Sequence, residues 1–100
     1  VGTAREYIFA CSYGGDKGIF GYGHTTTNVS ITNLVDNAGV VGSDVTGVGT
    51  ARQWGAATQY GQDKGIFGYG SALTAVTNLV SNAGVVATDT TGVGTARFGI

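Results

Sequence analysis

Side chains able to do chemistry are few in this chain. Cys11 and His24 are the sole thiol and the sole imidazole, accompanied by six acidic residues. A Cys–His dyad needs the two within hydrogen-bond reach. They fall on different predicted elements: Cys11 reads as a small buried filler of a strand, and His24 as a loop residue just after one. A zinc site takes three or four ligands at suitable spacing, which the chain does not offer. DVTG and DTTG gather too few carboxylates for calcium. GYGH and GVGT carry glycines at phosphate-loop spacing, but no helix follows them. Ser30 and Ser43 lie in no nucleophile elbow. No catalytic residue, metal or cofactor is therefore expected. Glu6, Tyr7, His24 and Trp54 remain as binding candidates: two aromatic platforms and two polar contacts.

These four sit in an otherwise repetitive chain. DKGIFGYG occurs unchanged at Asp16–Gly23 and Asp63–Gly70, TNLV at Thr32 and Thr77, and NAGVV at Asn37 and Asn82. VGTAR opens at Val1, Val48 and Val93, so the two units run over 47 and 45 residues. Self-similarity at such a period marks a repeat architecture. The division is 1–47, 48–92 and a trailing 93–100 that begins a third unit. The copies differ mainly in EYIFACS against QWGAATQ, and after GYG, where HTTTNVSI becomes SALTAV.

Composition narrows the function further. A net charge of −1 gives no electrostatic footprint for nucleic acid. No apolar run reaches the roughly 20 residues of a membrane span. Nineteen glycines without proline or a triplet period exclude collagen and fit short strands joined by tight turns. No sustained 3.6-residue apolar period occurs, so an all-β fold is expected.

Four strands are predicted per unit. In the first they are REYIFACSYG, KGIFGYG, VSITNLV and GVVGSDVTGV; in the second, RQWGAATQYG, KGIFGYG, LTAVTNLV and GVVATDTTGV. GGDKG, GQDKG, DNAG and SNAG supply the turns. A four-stranded unit of about 46 residues has the size of a propeller blade, roughly 40–50 residues. A β-trefoil repeat is of similar length and closes with three copies. The order of motifs resembles a kelch-type repeat: Arg5 and Arg52 open the first strand, Ala10 and Ala57 keep it small, and GIFGYG stands as the aromatic strand ending in glycine. Tyr22 and Tyr69 interrupt the kelch glycine doublet, and the fourth strand lacks the kelch tryptophan. Units such as DKGIFGYG and GVVATDTTGVGTAR also resemble those of repetitive tailed-phage and viral-metagenome proteins. That resemblance implies a virion or extracellular structural or host-attachment component.

Every basic residue lies at a repeat position, as do Asp16/Asp63 and Asp44/Asp89. Charges that recur with the blade are expected to serve it, each Arg pairing with the fourth-strand Asp of a neighbouring blade. The functional counterpart is an arginine ring gripping an anion. A propeller closes with about four to eight blades, so two per chain imply a ring completed by oligomerisation, the alternative being a segment of a longer multi-blade polypeptide. Three chains giving six blades is the preferred count, and four would give eight. The expected function is a non-enzymatic structural or recognition module binding a protein ligand; the alternative is a lectin-like glycan binder with one site per blade.

Overall fold

Alternating side chains and glycine-rich turns close each repeat into an antiparallel sheet. The computed structural model describes residues 1–71 and 73–99. The first unit contains β1 (Phe9–Tyr13), β2 (Lys17–Gly21) and β3 (Thr32–Val35); the second contains β4 (Ala56–Tyr60), β5 (Lys64–Gly68) and β6 (Thr77–Val80). They form two three-stranded sheets, β1-β2-β3 and β4-β5-β6. Registers match between copies: Cys11 faces Ile19 and Ile19 faces Leu34, as Thr58 faces Ile66 and Ile66 faces Leu79. The fold is all-β, with no helix among the described residues. In the first hairpin Gly14 and Gly15 turn the chain at φ 63° and 83°. In the second, Gln62 stands in the place of Gly15 at φ 74°, a region costly for a side chain.

The expected first strands are shorter than their sequence pattern. Tyr7 and Trp54 adopt φ 53° and 61°, which breaks the extended chain, so the ladders begin at Phe9 and Ala56. The expected fourth strand is not a regular strand. It meets the third through separate bridges, Thr32↔Val45 and Val35↔Val41 in one unit and Thr77↔Thr90 and Val80↔Val86 in the other. Its side of each pair of bridges holds one residue more than the partner, as in a bulge. The cause is the buried asparagine of TNLV. Asn33 Nδ2 donates to Gly42 O (3.1 Å) and Asp44 Oδ1 (2.9 Å), and Asn78 Nδ2 to Ala87 O (3.1 Å) and Asp89 Oδ1 (2.9 Å). A side-chain amide thus takes part of the place of the backbone ladder, which keeps Gly42 N to Leu34 O and Ala87 N to Leu79 O, both 2.8 Å.

The two sheets stack face to face, β1 lying over β4 and β5. The core comprises Phe9, Tyr13, Ile19, Tyr22, Phe67, Val80 and Val86. Identical GIFG segments bury alternate residues. In β2, Ile19 is 1% exposed and Phe20 37%; in β5, Phe67 is 0% exposed and Ile66 only partly covered. Successive strand residues point to opposite faces, so the first sheet uses its Ile19 face and the second its Phe67 face.

Glycine makes this approach possible. A Cβ on Gly55 would overlap the Phe9 ring, and one on Gly21 would stand 2.7 Å from Phe67 Cε2. The half-buried Cys11 faces Gly65, whose Cβ would lie 2.7 Å from Sγ. The thiol is a filler of the inter-sheet space. Gly55→Ala is expected to lower stability by about 1–3 kcal/mol through overpacking against Phe9, measured as the urea midpoint. An unchanged midpoint would contradict this packing.

Candidate functional site

The junction between repeats contains most of the polar chemistry. Thr3 donates its N–H to Asp44 Oδ1 (3.1 Å) and its hydroxyl to Oδ2 (2.5 Å). Thr50 binds Asp89 in the same way, with an N–H bond of 2.9 Å and a hydroxyl bond to Oδ2. Each aspartate therefore clasps the opening VGTAR to the irregular fourth segment of its own unit. The Thr3 hydroxyl, Asn33 and the Thr3 N–H hold the Asp44 carboxyl down at about 2. Thr50 and Asn78 lower Asp89 likewise.

The arginines depart from the expected Arg–Asp pairing between blades. Arg52 Nη1 is 4.0 Å from Asp89, in its own unit. Its guanidinium instead lies over rings of the preceding unit, 4.9 Å from the Tyr22 centroid and 5.7 Å from that of Phe9. Arg97 repeats the arrangement over Tyr69 at 4.3 Å. Arg5 instead bonds Ile31 O (2.8 Å) and Asn33 Oδ1. Arg52 is completely buried, so an anion in solution does not reach it. The reason for the departure is competition: threonine and asparagine already occupy the aspartate oxygens, and the ring faces offer a cation a second negative surface.

Tyr22 fixes the same junction. Its hydroxyl donates to Val48 O (2.9 Å) while Gly23 N donates to Arg52 O (2.8 Å). Burial pushes the Tyr22 phenol up to about 12. One unit later, Tyr69 Oη donates to Val93 O (3.2 Å) and Gly70 N to Arg97 O (2.8 Å). Of the DKG aspartates Asp16 is exposed and Asp63 partly covered, and both tie two turns together. Asp16 accepts from Lys17 (2.9 Å) and Asn37 (3.1 Å), and Asp63 from Lys64 (3.0 Å) and Asn82 (3.2 Å).

The four binding candidates converge beside this junction. Glu6 and His24 exchange backbone hydrogen bonds of 3.0 Å, and Glu6 Oε2 lies 3.4 Å from His24 Nδ1. The rings of Tyr7 and Trp54 stack, with centroids 5.2 Å apart and an interplanar angle of 26°. Phe98, which the sequence reading missed, extends the row at 5.3 Å from Trp54. Main-chain bonds run the same way, from Trp54 N to Tyr7 O (2.9 Å) and from Gly99 N to Trp54 O (2.7 Å). The signal for Phe98 was its place directly after the third VGTAR. All three rings remain about half exposed. The result is an aromatic stripe crossing the units, flanked by Glu6 and His24 in the first and by the Gln53–Ser71 bridge in the second.

Cys11 and His24 are engaged with different neighbours, Gly65 and Glu6, so they do not form the dyad considered above. Among the described residues no three His, Cys, Asp or Glu side chains gather as a metal site, and no helix is long and apolar enough to cross a membrane. No protein-family model and no curated protein matches the chain.

The aspartate clasps predict an acid-labile junction. Free Asp titrates near 3.9; a carboxyl depressed in the fold adds stability above that value and loses it as pH falls toward the folded pKa. The urea midpoint is expected to decline between about pH 4 and pH 2. Thr3→Val is expected to raise the Asp44 pKa, followed by carboxyl-carbon NMR. An Asp44 titrating at the free value in the parent protein would contradict the clasp.

Proposed function

We propose that the chain is a non-enzymatic structural or recognition module made of propeller-type blades of kelch-like kind, its ring completed by oligomerisation. Three chains giving six blades is the preferred count. One observation carries this reading. The seat of Val48–Arg52 on Tyr22 is repeated by Val93–Arg97 on Tyr69, so the contact recurs head to tail from one unit to the next and continues past the second sheet. The charges support it too, since Asp89 and Arg52 serve the junction and Asp44 repeats the same clasp on Val1–Arg5. The resemblance of the repeated motifs to phage and viral-metagenome proteins favours a virion or extracellular role in structure or host attachment.

The Tyr7–Trp54 stack favours a second reading, a lectin-like binder. Exposed aromatic faces beside Glu6, His24 and Gln53 could stack a sugar ring and bond its hydroxyls. A glycan array paired with thermal-shift measurements separates the two. The structural reading expects no saccharide to raise the melting temperature. Binding near one site per repeat, abolished by Trp54→Ala, would transfer the assignment to the lectin.

A further inference from the structure

Each sheet keeps one free face, and the two free faces differ from the two buried ones in a paired way. The first sheet turns Phe9 toward the second, where Gly55 leaves room for its ring. The residue equivalent to Phe9 in the second unit is Ala56, on that sheet's free face. The residue equivalent to Gly55 in the first unit is Ile8. In the second unit the space over Gly70 is filled from outside, with Phe9 Cζ 3.3 Å from where a Cβ would stand. In the first unit the corresponding space over Gly23 is filled by its own Ile8, with Cγ2 at 2.7 Å. The inner contact thus sets a large residue against none, Phe9 on Gly55. The free faces offer a small residue and a medium one, Ala56 and Ile8.

Resting on the repeat-assembly reading above, we infer that the free face of the second sheet receives the free face of the first sheet of a second copy of this chain, oriented as in the inner contact, with Ala56 opposite Ile8. The interface is continuous with one already in the molecule. Ala56 and Ile66 line one shallow cleft, and Ile8 and Phe20 line a groove on the other free face. Phe20, Tyr60 and Leu79 are 37%, 38% and 40% exposed there, whereas a capping repeat carries a polar outer face. A second fit accompanies the first. Tyr13 lies buried against Gly84, 2.9 Å from where a Cβ would stand; Tyr60 is its exposed equivalent, and Gly39, the equivalent of Gly84, has open space above it.

Val93–Arg97 occupies the seat on Tyr69 that the incoming Val1–Arg5 would take. The two segments are identical, so the exchange keeps the same bonds. It favours the incoming one, because Arg97 is exposed on a trailing segment while Arg52, followed by a full sheet, is buried. A contact of unlike faces is heterologous and propagates until it closes.

Size-exclusion chromatography with light scattering tests the docking face. The parent protein is expected at a multiple of 10.0 kDa. Ala56→Phe places a ring against Ile8 and is expected to weaken association on the order of 10- to 100-fold. Adding Ile8→Gly recreates the inner pairing and should restore it. Leu79→Lys, at an exposed position, is a second disruption that leaves the subunit folded by circular dichroism. A parent that stays at 10.0 kDa across the concentration series overturns the inference. So does an assembly indifferent to Ala56→Phe and Leu79→Lys. A dimer or an open filament that responds to both variants and to the rescue upholds the docking face while removing the six-blade ring.

Discussion

Phe9 sits where Gly55 has no side chain, and much of the molecule depends on that contact. A three-stranded sheet of this composition is apolar on both faces and too small to stand alone in water. It has to be covered. Bringing a second, nearly identical sheet close enough requires that a ring on one meet a missing side chain on the other. Glycine does this at Gly55 for Phe9, at Gly21 for Phe67 and at Gly84 for Tyr13. The rings then meet edge to face, Phe9 with Phe67 at 5.7 Å and Phe9 with Tyr22 at 5.3 Å, the geometry that aromatic quadrupoles favour.

Once the sheets are that close, the polar parts follow. Val48–Arg52 has to cross from one sheet to the next over the edge of the aromatic cluster. Tyr22 and Gly23 take its carbonyls, Asp89 takes its threonine, and the Arg52 guanidinium lies on the rings. The arginine is buried because the aromatic cluster is there, and its charge meets ring faces as well as Asp89. The exposed stripe of Tyr7, Trp54 and Phe98 arises from the same crossing. Each ring follows a VGTAR segment, and at Tyr7 and Trp54 the chain turns, through a positive φ, into the sheet that follows.

The duplicated motifs made the two-unit division, the all-β class and the hairpin turns legible in the sequence. The close approach allowed by glycine in GIFGYG was also legible, because Ile and Phe alternate around it. Other features were hidden for identifiable reasons. The regular fourth strand failed because Asn33 and Asn78 use side-chain amides where a ladder would run, and asparagine in TNLV carries no mark of burial. The Arg–Asp pairing failed because Thr3 and Thr50 are short-range competitors for the same oxygens. Of the candidate site, the grouping of Glu6, Tyr7, His24 and Trp54 could be named from variation between copies. Their convergence could not, since it depends on an inter-unit stacking offset that no single repeat encodes. Burial was the least legible property. Phe20 and Phe67 have identical neighbours in sequence and opposite environments.

That last pair gives the most direct test of face-to-face stacking. At a dilution where the mass is 10.0 kDa, Phe20→Ala and Phe67→Ala are compared by urea denaturation. Phe67 is fully buried between the sheets, so its truncation is expected to cost about 3–5 kcal/mol. Phe20 lies on a free face, and its truncation is expected to cost under about 1 kcal/mol. Equal losses at the two positions would contradict the account, because they would mean that the two copies bury the same face.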